Sequence, residues 1–308
     1  MPESPEVDAL AGFLRTHIVG RQIAGLELVE YGALKTRGRL TSELVGRAVT
    51  GIRRFGKHLA IDTEGPSLVV SFGRAGWMRW SGEPTTDAAT TTTATAASTD
   101  ATGGAAASTD ATPTAATDAA KLTTATTSAP TIAVLSFADG TELLLTDGGT
   151  WLSLGLWIVD EPAEVPAIAK LGPDPASADD TADQLDGVLA GRRKQLKALL
   201  QEQERLTGIG NAYSDEILHA ARLFPLTHAT DLDEAQRAAL FAAVRSVLGG
   251  AFARQRSVPI DELKARKVAA MAVHGRTGEQ CPDCGGTVAD VPGSKGAAQY
   301  CPVCQPER

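Results

Sequence analysis

"LTGIGNAYSDEIL", residues 206–218, is the stretch on which the fold turns. Gly208 and Gly210 permit a sharp turn, and the apolar spacing from Asn211 onward is that of an amphipathic helix. A helix starting at such a turn presents free backbone N–H groups, a ready site for a phosphate. An ordinary corner between two helices uses the same residues, so the surroundings must choose. Just upstream, "GRRKQLKALL" (191–200) gathers Arg192, Arg193, Lys194 and Lys197. Alone these make a solvated basic face; beside a phosphate-ready turn they make a surface for a nucleic-acid backbone.

Around this turn the chain reads as helical from about residue 163 to 270. "ADQLDGVLA" (182–190), "RKQLKALLQEQ" (193–203), "SDEILHAARL" (214–223) and "DEAQRAALFAAVRSVLGGAFAR" (233–254) carry apolar residues three and four apart. Towards the N-terminus the pattern is different. Residues 3–16 have helical spacing at Val7, Leu10, Ala11 and Leu14, and from about 21 to 80 short β-branched runs alternate with Gly and Pro. These runs include "RQIAGLELV" (21–29), "RAVTGIRRF" (47–55), "KHLAIDT" (57–63) and "SLVVSF" (67–72). "IAVLSFADGTELLLTD" (132–147) reads as a hairpin turning at Asp139-Gly140. Residues 84–130 between them are almost entirely Ala, Thr, Ser and Asp, with "ASTDAT" occurring twice. Such a composition offers little apolar surface to offset ordering entropy, so it predicts a disordered insert looping out of one sheet.

The tail from 271 to 308 holds all four cysteines, as "CPDC" and "CPVC" separated by sixteen residues. Cys281, Cys284, Cys301 and Cys304 match the spacing of a zinc ribbon, and four thiolates leave no open position for water, which predicts one structural zinc ion. The 308-residue chain is 43% hydrophobic, enough for several cores, and its formal charge of −8 is a weak witness against a nucleic-acid partner because local patches set the binding field. No run has the apolar length of a bilayer span, and the opening lacks a basic region followed by an apolar one. The chain therefore reads as cytoplasmic, without a membrane partner. The opening is "MPESPEVDAL". Pro followed by Glu suits the first turn of a helix. Removal of Met1 would also leave Pro2 with a secondary amine, a nucleophile towards aldehydes.

Together these features resemble the formamidopyrimidine-DNA glycosylase and endonuclease VIII family of base-excision repair. "MPESPEV" is similar to the family's opening, "GKHLAID" (56–62) to its β-hairpin lysine segment, "LTGIGNAYSDEIL" to its helix-two-turn-helix motif and "CPDC…YCPVCQ" to its zinc finger. The resemblance implies an α+β multidomain fold: an N-terminal β-sandwich with flanking helices (1–162), a helical DNA-binding domain (163–270) and a zinc finger (271–308). It implies a monomeric glycosylase and abasic-site lyase acting on damaged DNA. In that scheme Pro2 attacks the sugar C1′, Glu3 shuttles protons, Glu6 supports this end and Lys57 contacts the phosphate at the lesion. Lys197 and Asn211 would hold backbone phosphates.

The departures from the family pattern concern recognition. Arg74, Gly149 and Trp151 stand where the oxidised-purine enzymes place the Met, Arg and Phe that fill the gap left by an extruded nucleotide. The finger's phosphate-clamping arginine is replaced by Gly296, with Lys295 beside it. A non-excising paralogue that binds abasic or single-stranded sites is the alternative reading, and an interaction protein built on a zinc ribbon is a third.

Overall fold

The computed structural model describes residues 1–82, 129–175 and 182–307. Helix α1 (Ser4–His17) opens the chain, and two four-stranded sheets follow. One sheet orders β1 (Ile23–Leu28), β6 (Thr131–Phe137), β7 (Glu142–Asp147) and β5 (Gly76–Trp80). The other orders β2 (Val49–Phe55), β3 (His58–Thr63), β4 (Ser67–Ser71) and β8 (Gly155–Val159). All these pairings are antiparallel. Leu26, Leu135, Leu143 and Met78 from the first sheet share one core with Ile52, Ile61, Leu68 and Ile158 from the second, closed at one side by Val7, Leu10 and Leu14 of α1. This is the β-sandwich that the resemblance implied, with the apolar side chains of the two sheets facing each other across the core.

The hairpin at Asp139-Gly140 forms as expected, with Gly140 at φ +84°. Strands β5 and β6 both pair with β7, so the Ala/Thr-rich stretch connects two strands of one sheet. Its expected disorder concerns residues outside those described, apart from Ala129 and Pro130. Pro130 extends the ladder between the inner strands β6 and β7, its carbonyl accepting from the Asp147 N–H.

The helical part comprises α2 (Pro166–Ala169), α3 (Ala182–Leu189), α4 (Leu196–Leu200), α5 (Asn211–Ala220), α6 (Glu234–Gln255) and α7 (Leu263–Ala269). Leu200, Ile209, Ile217, Leu218, Leu240 and Val244 form its core. Helix α4 is shorter than its periodicity suggested, because Gln195 pairs with His228 in a bridge that holds the preceding residues extended. The two ends of this region pack elsewhere. Val165 and Ile168 join Ala60, Val69 and Val159 on the outer face of the second sheet, while Ile260 and Leu263 reach the sandwich core. The short strands β9 (Ala289–Asp290) and β10 (Gln299–Tyr300) close the C-terminal module. Among the described residues no helix is long and apolar enough to cross a membrane.

Candidate active site

The turn at residues 207–210 meets the start of α1. Glu3 caps its own helix, but its carboxylate is aimed at α5: it accepts from the backbone N–H of Gly210 at 2.5 Å, Ala212 at 3.0 Å and Tyr213 at 3.4 Å. In return Ser4 N–H donates to the Gly208 carbonyl at 3.0 Å. Both glycines are required by this approach. Gly208 lies at φ +89° with Ser4 Oγ pressed against it, and a Cβ on Gly210 would come within 2.6 Å of the Glu3 carboxyl carbon. The sequence reading assigned these N–H groups to a phosphate. The structure corrects this: the anion at the helix N-terminus is Glu3.

Four further side chains complete the cluster. Glu6 Oε2 accepts from the Glu3 N–H at 2.8 Å and from Lys267 Nζ at 2.7 Å, while its Oε1 takes the Tyr213 hydroxyl at 2.8 Å and Gln255 Nε2 at 2.6 Å. Fully buried and fully partnered, Glu6 holds this end of the chain together. Lys267 also reaches Glu3 Oε1 at 3.3 Å. Burial pushes the Glu3 carboxyl up, but Lys267, Lys57 and the Ala212 and Gly210 N–H groups outweigh it, and Glu3 stays ionised below the ordinary carboxylate value. Lys57, in the two-residue turn between β2 and β3, is held down to about 8 by burial, against the pull of Glu3. Among the described residues its ammonium has no hydrogen-bond partner, so it is available to an incoming anion.

A cavity of about 1230 Å³ opens over this cluster, lined by Pro2, Glu3, Glu6, Arg74, Asn211, Lys267 and His274 among others. Lys57, Lys197, Trp151 and Lys295 lie outside its lining. Lys197 donates to Asp215 Oδ1 at 2.5 Å, the Asn211 carbonyl at 3.0 Å and Ser214 Oγ at 3.0 Å, which fixes it against the start of α5. In the neighbouring basic run Arg192 and Lys194 share the single carboxylate of Glu202, so the run keeps a net positive charge. Asn211 donates its side-chain amide to the Ala297 carbonyl, tying α5 to the loop that carries Lys295. Lys295 is exposed at the tip of that loop with φ +53°.

The four cysteines converge. Their Sγ atoms all lie within 4.8 Å of one another, with Cys281 to Cys304 at 3.9 Å and Cys284 to Cys301 at 3.5 Å. Four sulfurs about 2.3 Å from a tetrahedral ion stand about 3.8 Å apart, so the set fits a metal of zinc's size and softness. The module is docked on α5 and the turn after it: His219 Nε2 lies 3.2 Å from Cys281 Sγ, Gln305 Nε2 donates to the Leu223 carbonyl at 2.8 Å, and the Phe224 and Tyr300 rings meet edge to face.

Residues 1–148 match the formamidopyrimidine-DNA glycosylase N-terminal domain, and residues 171–260 match the H2TH domain of the same enzymes. An uncharacterized formamidopyrimidine-DNA glycosylase-like protein of Mycobacterium tuberculosis is 43% identical over 143 residues, which are 46% of this chain and 89% of that protein. The chain belongs to the formamidopyrimidine-DNA glycosylase family. The formamidopyrimidine-DNA glycosylase of Shewanella loihica is 27% identical across 99% of this chain and 100% of its own length. A crystal structure of the Lactococcus lactis formamidopyrimidine-DNA glycosylase, non-covalently bound to DNA containing an abasic site, superposes with a TM-score of 0.73 at 23% identity. It covers 99% of this chain and 100% of that one, and establishes the fold.

Two further features belong to the site of this formamidopyrimidine-DNA glycosylase family member. At Gly149 a side chain has little room, since a Cβ would stand 3.1 Å from Asp147 Oδ1 and the Trp151 carbonyl and 3.2 Å from the Ala75 methyl. The loop is fixed by Asp147, which accepts from the N–H groups of Gly149, Ser153 and Leu154 at 2.8–2.9 Å, and it leaves Trp151 84% exposed. The second feature is a pair of polar residues the motif reading passed over, Lys267 and His274, the latter with Nδ1 on Asp215 Oδ2 at 2.7 Å. In "LKARKVA" Lys267 reads as one more charge on a solvated helix; Arg266 next to it does face outward, to Glu262. Nothing in the local pattern says which of the two turns inward.

Proposed function

We propose that this chain is a DNA glycosylase with abasic-site lyase activity, working from the Pro2 amine on damaged DNA in base-excision repair. The observation that carries the proposal is the ionised Glu3 at the floor of the cavity, beside Pro2 and clamped by α5. Once Met1 is removed, the Pro2 nitrogen attacks C1′ of the opened sugar, and loss of water from the adduct gives an iminium. The iminium acidifies C2′. Loss of that proton sends its electron pair to expel the 3′ phosphate, and a second elimination expels the 5′ phosphate. Glu3 carries protons to and from the sugar, and Lys57 stabilises phosphate charge at the lesion. Cys281, Cys284, Cys301 and Cys304 would hold one zinc ion, which supplies a structural cross-link. Every side chain named here comes from one chain, and the enzyme works as a monomer in the cytoplasm.

The test is borohydride trapping on an oligonucleotide with one abasic site. The untagged protein should form a covalent adduct, and Pro2→Gly or an uncleaved N-terminal tag should reduce it severely. Efficient trapping by the tagged protein would exclude Pro2 as the nucleophile. Tight binding without any adduct would favour the non-excising paralogue.

A further inference from the structure

Lys267 is 8% exposed, and its ammonium distributes three contacts: Glu6 Oε2 at 2.7 Å, Glu3 Oε1 at 3.3 Å and the Met1 carbonyl oxygen at 3.3 Å. The Tyr213 ring lies beneath it, its centroid 4.6 Å from Nζ. The third contact is the informative one. The Met1 carbonyl carbon is bonded to the Pro2 nitrogen, so standard amide dimensions put Nζ within about 5.6 Å of that nitrogen. Removing Met1 removes this acceptor, and the freed N–H is left facing the nucleophile. A lysine serving only to neutralise two buried carboxylates needs no such reach.

We propose that Lys267 is a positioning residue for the Pro2 amine, a fixed positive charge whose field keeps the amine lone pair free to attack at neutral pH. This rests on Pro2 being the nucleophile. The two carboxylates that anchor Lys267 oppose its field, but each is occupied by other donors, Glu3 by α5 and Glu6 by Tyr213 and Gln255. The terminal amine, here on Met1, is held below its ordinary value by burial first and then by Lys267, with Lys264 adding and Glu3 and Glu6 opposing. The other titratable groups at this end are Lys57 from the β2–β3 turn, Tyr213 from α5, and Asp261, Arg74 and His274 at the cavity wall.

The experiment is the pH dependence of trapping and single-turnover cleavage on an abasic-site oligonucleotide, from about pH 6 to about pH 9. It compares the wild type with Lys267→Met, Lys267→Gln, Lys267→Arg and Pro2→Gly. Met1 removal is checked by mass and folding by thermal melting. Lys267→Met should move the midpoint of the rising limb up by about one pH unit, a loss of about tenfold at acid pH that is recovered at alkaline pH. Lys267→Gln, which keeps one donor for the carboxylates, should shift it alike, and Lys267→Arg should keep the wild-type midpoint. A folded Met or Gln variant that keeps that midpoint, or loses the same factor at every pH, would reduce Lys267 to a structural counter-ion. If Pro2→Gly traps as well as the wild type, the Pro2 reading itself fails, whatever the lysine variants do.

Discussion

Glu3 does two things with one carboxylate: it lines the cavity beside Pro2, and it is the anion that satisfies the N-terminus of α5. Every group donating to it is an N–H. Glu3→Gln therefore does more than remove an acid–base group. An amide NH₂ in that place meets another donor, so one buried N–H loses its partner, at a cost of about 1–3 kcal/mol. A lowered melting temperature should accompany the loss of lyase activity, whereas a solvent-facing catalytic carboxylate would leave stability unchanged. The sign with pH follows from the depressed Glu3 carboxyl. Its contribution to stability is complete above the ordinary carboxylate value and is lost as pH falls through the lower folded-state value. Melting curves measured down through that range should converge for the wild type and Glu3→Gln. The residue reading found Glu3 through its place beside Pro2. Its cap on a helix 207 residues away was not legible, because no local pattern records a contact of that range.

Among the elements, those with strong periodicity were legible and the short ones were not. Strands β1 to β4 follow β-branched runs bounded by Gly and Pro, the long helix α6 follows the spacing of its apolar residues, and the Asp139-Gly140 turn follows its own chemistry. Helix α7 spans seven residues and its direction is set by Ile260 and Leu263 reaching the sandwich core, a tertiary effect. The cysteine module was legible from spacing alone, but its docking was not. His219, Gln305 and the Asn211 contact with Ala297 make the module a brace for α5. Cys301→Ser should therefore lower metal content from one zinc per chain and weaken binding to an abasic-site duplex by about tenfold, or about 1.4 kcal/mol. Cleavage at saturating DNA should survive, because Glu3, Lys57 and Lys267 belong to other elements. Metal analysis, an equilibrium binding titration and a single-turnover rate on one preparation decide this, and an equal loss of the saturated rate would count against the brace.

At the scale of the whole molecule, Pro2, Glu3 and Arg74 line one cavity, whereas Trp151 and Lys295 stand outside its lining. Extruding a nucleotide from duplex costs a few kcal/mol, which gap-filling side chains must offset. Gly149 supplies none, and a side chain added there would have to displace Asp147, Ala75 or the Trp151 carbonyl by a few tenths of an ångström. In place of the usual gap fillers stand Arg74 at the cavity wall and Trp151, which is exposed. Excision of 8-oxoguanine opposite cytosine should then run about tenfold to about hundredfold slower than cleavage at a pre-formed abasic site. Single-stranded or mismatched substrates should narrow the difference. Equal single-turnover rates on duplex would show that Arg74 and Trp151 replace the usual gap fillers in full. The Glu3 clamp has one more consequence, for the life of the chain before it is a finished enzyme. While the polypeptide emerges from the ribosome its amino end is already free, yet the turn at 207–210 that secures it has still to be synthesised. In the mechanism proposed above, a product truncated before that turn carries the Pro2 amine but neither the clamp on Glu3 nor the cavity, so only a chain that extends past the turn can set that amine against a sugar.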